Sequence, residues 1–122
     1  MQENKLPHNH HNQPIEQTLS KIASLDDFQM TADIFKQLSD PTRLRIFWLL
    51  CHNEECVLNI ASIMKMSSPA VAHHLKQLKT SSLIESHRKG KEMYYKASST
   101  KESILLHHFI DSLMRIKKEQ MN

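Results

Sequence analysis

Residues 67–83 read SSPAVAHHLKQLKTSSL, and this stretch decides the fold. Ser67 or Ser68 can cap a helix, Pro69 suits the first helical turn, and Val71, Leu75 and Leu78 recur at i, i+4 and i+7 as one buried face. The remaining positions carry Ser68, His73, His74, Lys76, Gln77 and Lys79, mostly hydrogen-bond donors and cations. Such a surface suits nucleic acid.

Just upstream, Val57 to Met66 reads VLNIASIMKM, with Leu58, Ala61, Ile63 and Met66 at spacings that a helix can bury. Two short helices joined by a tight, Ser-rich turn make a helix-turn-helix, whose second helix enters the major groove while the first crosses the backbone. The alternative from this stretch alone is a pair of ordinary core helices with a solvated cationic face. Downstream, two runs that begin or centre on apolar residues, 83–88 and the Tyr-containing 91–97, flank Gly90, the only glycine. A lone glycine there predicts a hairpin turn with positive φ, tipped by Arg88, Lys89 and Lys91. A cationic hairpin directly after a helix-turn-helix is a wing.

The order of these segments resembles the ArsR/SmtB family of metal-responsive repressors. The resemblance is carried by LSDPTRLRI (38–46), ECVLNIA (55–61), SPAVAHHLKQLK (68–79) and RKGKEMYY (88–95), and it covers about residues 35–97. It implies a mainly α fold with a small β-hairpin wing, a homodimer with N- and C-terminal helices at its interface, and an operator released when a metal ion or other inducer binds. It also suggests that the regulated gene is a metal efflux pump or the protein's own operon.

Global features agree with a small regulator. A chain of 122 residues supports a modest core, and small winged helices gain apolar burial by pairing. The formal charge is only +3, yet residues 65–96 hold seven Lys/Arg against two Glu. The positive field therefore coincides with the DNA face. No run approaches a membrane span, the polar start lacks the apolar core of a signal peptide, and two cysteines do not make a disulfide framework. A cytoplasmic location is expected, with neither a membrane partner nor a small-molecule substrate. No phosphate-cradling glycine loop or nucleophile partner for the histidines points to an enzyme.

Taken in order, residues 1–14 read as a mobile arm with His8, His10 and His11, imidazoles that suit Zn²⁺, Ni²⁺ or Cu²⁺ but equally a solvated tail. Residues 15–122 form the DNA-binding and dimerisation domain. Residues 15–39 are helical in pattern, with Asp26 and Asp27 favouring a helix start. The next helix has Asp40 as cap, Pro41 at its first position, and Leu44, Phe47, Trp48 and Cys51 on one face; Arg43 and Arg45, on other faces, either touch phosphates or are solvated. In the last helix, about 100–119, Leu106, Phe109, Ile110, Leu113 and Ile116 form a stripe expected to pack on the body.

Three stretches bear on metal binding. Family sensors often carry Cys-Val-Cys-Asp before the recognition helix, whereas this chain reads Cys56-Val57-Leu58-Asn59, leaving Cys56 with Cys51, His52 and Glu55 nearby. A helix N-terminus favours a reactive thiolate, while a lone cysteine also serves as a small buried hydrophobe. The zinc-sensor pattern of the family's terminal helix falls on Ser99, Lys101, Ser112 and Arg115, none of them suitable. A different set exists there: His107 and Asp111 at i, i+4 and His108 and Asp111 at i, i+3, on a face that meets either a partner helix or water.

The resulting expectation is a homodimeric repressor that zinc or cadmium releases from double-stranded operator DNA. Ser68, Ala70, Val71, His73, His74 and Gln77 are the candidate groove contacts, Lys76 and Lys79 the phosphate anchors, and Arg88, Lys89 and Lys91 the wing. Cys51, Cys56, His107, His108 and Asp111 are the candidate metal ligands. The alternative on the same fold is a thiol redox or persulfide sensor using Cys51 and Cys56. Ser82 stands where the family has a helix-closing glycine, which predicts modest strain or a different cap.

Overall fold

The computed structural model describes residues 6–8, 15–22 and 24–121, so His10 and His11 of the proposed arm lie outside the described residues. The chain divides into two compact units, residues 1–32 and 33–122. The first holds α1 (Ile15–Ser20) and the start of α2 (Leu25–Leu38). Ser24 and Asp27 form a capping box there: the Asp27 amide donates to Ser24 Oγ and the Ser24 amide to Asp27 Oδ2, each at 3.2 Å.

In the second unit, α3 (Pro41–His52), α4 (Val57–Met64), α5 (Ser68–Thr80) and α6 (Lys101–Met121) surround a small antiparallel sheet. The sheet is ordered β1-β3-β2, with β1 at Glu55–Cys56, β2 at Ile84–Lys89 and β3 at Glu92–Ala97. The hairpin lies as predicted: Lys89 pairs with Glu92 across a two-residue turn, and Gly90 has φ +62°. The short β1, which pairs Glu55 with Tyr95 and Cys56 with Tyr94, has no signal in the sequence because two residues carry no periodicity.

Local signals account for the helix ends. Asp40 Oδ1 accepts from the Arg43 amide at 3.0 Å, and Ser67 Oγ accepts from the Ala70 amide at 3.3 Å. At the end of α5 the Leu83 amide reaches back to Leu78 O and the Ser82 amide to Lys79 O, both at 3.0 Å, with Ser82 left-handed at φ +60°. This is a Schellman closure made without glycine.

The core consists of Ile46, Phe47 and Leu50 from α3, Ile60, Ala61 and Met64 from α4, Val71, Leu75 and Leu78 from α5, Leu83, Ile84, and Ile110 from α6. Two predicted faces need correction. In α4 the buried residues are Ile60, Ala61 and Met64, while Leu58 and Ile63 face outward. Asn59 and Ser62, one turn apart, mark the outward face of this helix, and the buried residues lie opposite them. Among the described apolar residues of α6 only Ile110 is buried, with Leu106 half-buried, whereas Leu105, Phe109, Leu113 and Ile116 are 45–70% exposed in the single chain. The apolar residues of α6 thus split into an inner row and an outer row.

Candidate nucleic-acid interface and metal centre

Helix α5 is held to the body by its three buried aliphatic residues, which fixes what faces outward. His73, Lys76 and Lys79 are exposed, and Ser68, Ala70 and Gln77 are half-exposed. Val71 is 0% exposed and anchors the helix rather than facing a groove, correcting its place among the groove contacts. His74 is half-buried and accepts a hydrogen bond on Nδ1 from Arg43 Nε at 3.3 Å. Burial holds its imidazole below the usual histidine value, against the nearby Asp40 carboxylate. Arg43 also donates to Gln37 Oε1 at 2.9 Å, so its guanidinium is engaged within the chain, while Arg45 is exposed.

The wing lies beside this helix, tied to it by Lys79 Nζ, which donates to Ser86 Oγ at 2.7 Å. Arg88 and Lys91 stand exposed at the tip. Lys89 is drawn back into an ion pair with Glu54, which His87 also meets at 3.1 Å. The Lys89 hydrogen bond holds the Glu54 carboxyl below the usual carboxylate range. Of the three predicted tip cations Lys89 alone is in an ion pair among the described residues, with its side chain still 59% exposed. Glu54, 35 residues upstream, was not legible as their neighbour.

On the other side of α3, three donor groups converge. His107 Nε2 lies 3.0 Å from Asp111 Oδ2 and 3.2 Å from His52 Nε2, and His52 Nε2 lies 3.7 Å from Asp111 Oδ2. The second carboxylate oxygen, Oδ1, accepts from Trp48 Nε1 at 2.9 Å. That indole N–H is the main reason the Asp111 carboxyl sits below its usual range, with the two imidazoles adding to the effect. The His107/Asp111 face of α6 thus meets α3 of its own chain, correcting the expectation that it meets a partner helix or water.

Among the described residues no group of three or more donor residues includes Cys51, Cys56 or His108. His108 is exposed and stacks on His107 with ring centroids 5.4 Å apart. Cys51 lines an open cleft with His107 and Ser103, and burial, followed by the Asp111 charge, pushes its thiol up to about 12. Cys56 is 6% exposed, in β1 ahead of α4. His52 and Trp48 are the residues missing from the predicted site. Trp48/His52 and His107/Asp111 are each i, i+4 pairs, but their meeting depends on how α3 and α6 pack.

A helix-turn-helix with an exposed polar and cationic second helix, followed by a β-hairpin wing, defines a DNA-binding transcriptional regulator of the winged-helix class. Comparison with known proteins narrows this. The profile of the arsR family of bacterial regulatory proteins matches residues 40–86. The chain is 38% identical over 85 residues to the transcriptional repressor SmtB homolog of Synechocystis, covering 70% of this chain and 64% of that protein. It is also 38% identical over 86 residues to the cadmium resistance transcriptional regulatory protein CadC of Listeria innocua, covering 70% of this chain and 71% of that one. The homodimeric winged helix-turn-helix DNA-binding domain of Mb0332 from Mycobacterium bovis superposes with a TM-score of 0.66 at 24% identity, over 77% of this chain and 91% of that one. This chain belongs to the ArsR family. Among the described residues no helix is long and apolar enough to cross a membrane.

Proposed function

We propose that the protein is a homodimeric repressor that binds operator DNA and is released by a divalent ion, zinc or cadmium. One observation carries the reading: α5 is locked to the core by Val71, Leu75 and Leu78 with its donor-rich face exposed beside the wing tip. Ser68, Ala70, His73 and Gln77 are the groove contacts, and Lys76, Lys79, Arg88 and Lys91 the phosphate contacts. Pairing is supported by the outer row of α6, where Leu105, Phe109, Leu113 and Ile116 fall at i, i+4, i+8 and i+11. Sensitivity to a borderline ion is supported by the imidazole-rich donor group and by the relatives' names.

The thiol-sensing alternative lacks support in the geometry, since the Cys51 thiol is pushed far above neutrality and Cys56 is buried. The test is a fluorescence-anisotropy titration of the DNA upstream of the protein's own gene, under reducing conditions, with and without Zn²⁺ or Cd²⁺. Two protomers bound per site and release by metal are expected. Release by oxidant alone would sink the metal reading.

A further inference from the structure

We infer that His52, His107 and Asp111 form a three-ligand metal site within one chain, with the fourth coordination position left to water or another small ligand. Metal–nitrogen and metal–oxygen bonds of about 2.05 Å in a tetrahedral site place ligand atoms about 3.3 Å apart. The separations here are 3.0, 3.2 and 3.7 Å, and the three atoms enclose a common point.

One proton on His107 Nε2 faces two acceptors, Asp111 Oδ2 at 3.0 Å and His52 Nε2 at 3.2 Å, so between them a proton gives a shared three-centre bond at best. A cation at the common point turns all three lone pairs inward.

The supporting contact fits as well. Trp48 Nε1 holds Asp111 Oδ1, so the carboxylate presents one oxygen in a fixed orientation, as outer-shell donors do for metal-binding carboxylates. Two imidazoles and one carboxylate suit Zn²⁺ and its neighbours, not Mg²⁺ or Ca²⁺, which require oxygen-rich sets. His52 ends α3, and His107 and Asp111 lie on the inner side of α6, the helix whose outer row is free for pairing. One ion per chain therefore couples the scaffold under the recognition helix to the pairing helix. Only this last step, the ion as effector, rests on the function proposed above.

Binding is tested on the full-length protein under reducing conditions, away from DNA, with Zn²⁺ by equilibrium dialysis and Co²⁺ by absorption. Trp48, the sole tryptophan, serves as a fluorescent reporter in contact with a ligand. The expected results are one ion per chain, a tetrahedral Co²⁺ spectrum without a thiolate charge-transfer band, and a Trp48 emission change that saturates at one equivalent. His52→Ala, His52→Gln, His107→Ala and Asp111→Asn should each weaken Zn²⁺ by more than about 100-fold, beyond the usual loss for an outer-shell contact. Cys56→Ser and His108→Ala should bind as wild type does. Wild-type affinity in both His52 variants, one ion per dimer, or a thiolate band that Cys51→Ser removes would overturn the site. Stoichiometric binding that leaves DNA affinity unchanged upholds the site and defeats the effector reading. Metal release of DNA by both His52 variants does the reverse.

Discussion

Trp48 and Asp111, 63 residues apart, are joined by a 2.9 Å hydrogen bond from the indole N–H to Oδ1. The bond crosses from α3 to α6 and sets which carboxylate oxygen faces the two imidazoles. Trp48→Phe keeps the ring and deletes the donor, so the carboxylate loses its fixed orientation. Zn²⁺ affinity should fall about 10- to 100-fold by equilibrium dialysis, while the affinity of the metal-free protein for DNA stays unchanged.

At the wing, Glu54 neutralises Lys89 within the chain. Glu54→Gln releases that cation, so DNA binding should tighten and the slope of log K against log salt steepen by about one charge. Arg88→Ala should make the slope shallower by about one. Lys89→Ala should have less effect than Arg88→Ala. Anisotropy titrations at several salt concentrations decide the matter, and equal losses for Arg88→Ala and Lys89→Ala would refute the masking of Lys89.

Phe47 belongs to the core and Phe109 to the proposed pairing surface. Phe47 is 0% exposed among the central side chains, so Phe47→Ala should cost about 3–5 kcal/mol in urea unfolding. Phe109 is 52% exposed in the single chain. Phe109→Glu should leave the helical circular dichroism intact, shift the sedimentation coefficient to that of a monomer, and weaken operator binding by removing the second half-site contact.

Ser82 holds the left-handed position that closes α5. A side chain there costs about 1–2 kcal/mol, and glycine loses about 0.5–1 kcal/mol more backbone freedom on folding. The first effect is larger, so Ser82→Gly should stabilise the protein by about 0.5–1 kcal/mol. Its backbone carbonyl would still accept from Ser98 Oγ. An unchanged or lower midpoint in urea would show that the serine is unstrained.

Asp40 is held below the ordinary aspartate range, chiefly by the hydrogen bond from the Arg43 amide. A carboxyl depressed in the folded state contributes stability that is complete above its unfolded value of about 3.9 and is lost as pH falls through the folded value. Asp40→Asn retains a capping oxygen without the charge. It should therefore flatten the acid limb of stability below about pH 4. Parallel acid limbs for the two proteins would exclude Asp40 as a contributor.

The succession of elements is written locally, which is why it could be read without coordinates. Asp40-Pro41 starts α3, Ser67 with Pro69 starts α5, and Gly90 turns the wing, each acting on its own few residues. The buried face of α5 was equally legible, since three aliphatic residues recur at helical spacing among polar ones. The rotation of α4 was marked only by Asn59 and Ser62, which stand opposite its buried face. The division of the α6 apolar residues into inner and outer rows was not legible, since it depends on where α3 lies against that helix. The candidate metal centre was half visible, as His107 and Asp111 one turn apart. Its third member, His52, is 55 residues away, and Glu54, which masks Lys89, is 35 away. Backbone spacing constrains only side chains a turn or a strand pair apart. Beyond that distance, helix packing decides which charges meet, and here it placed one anion at the wing and another between two imidazoles.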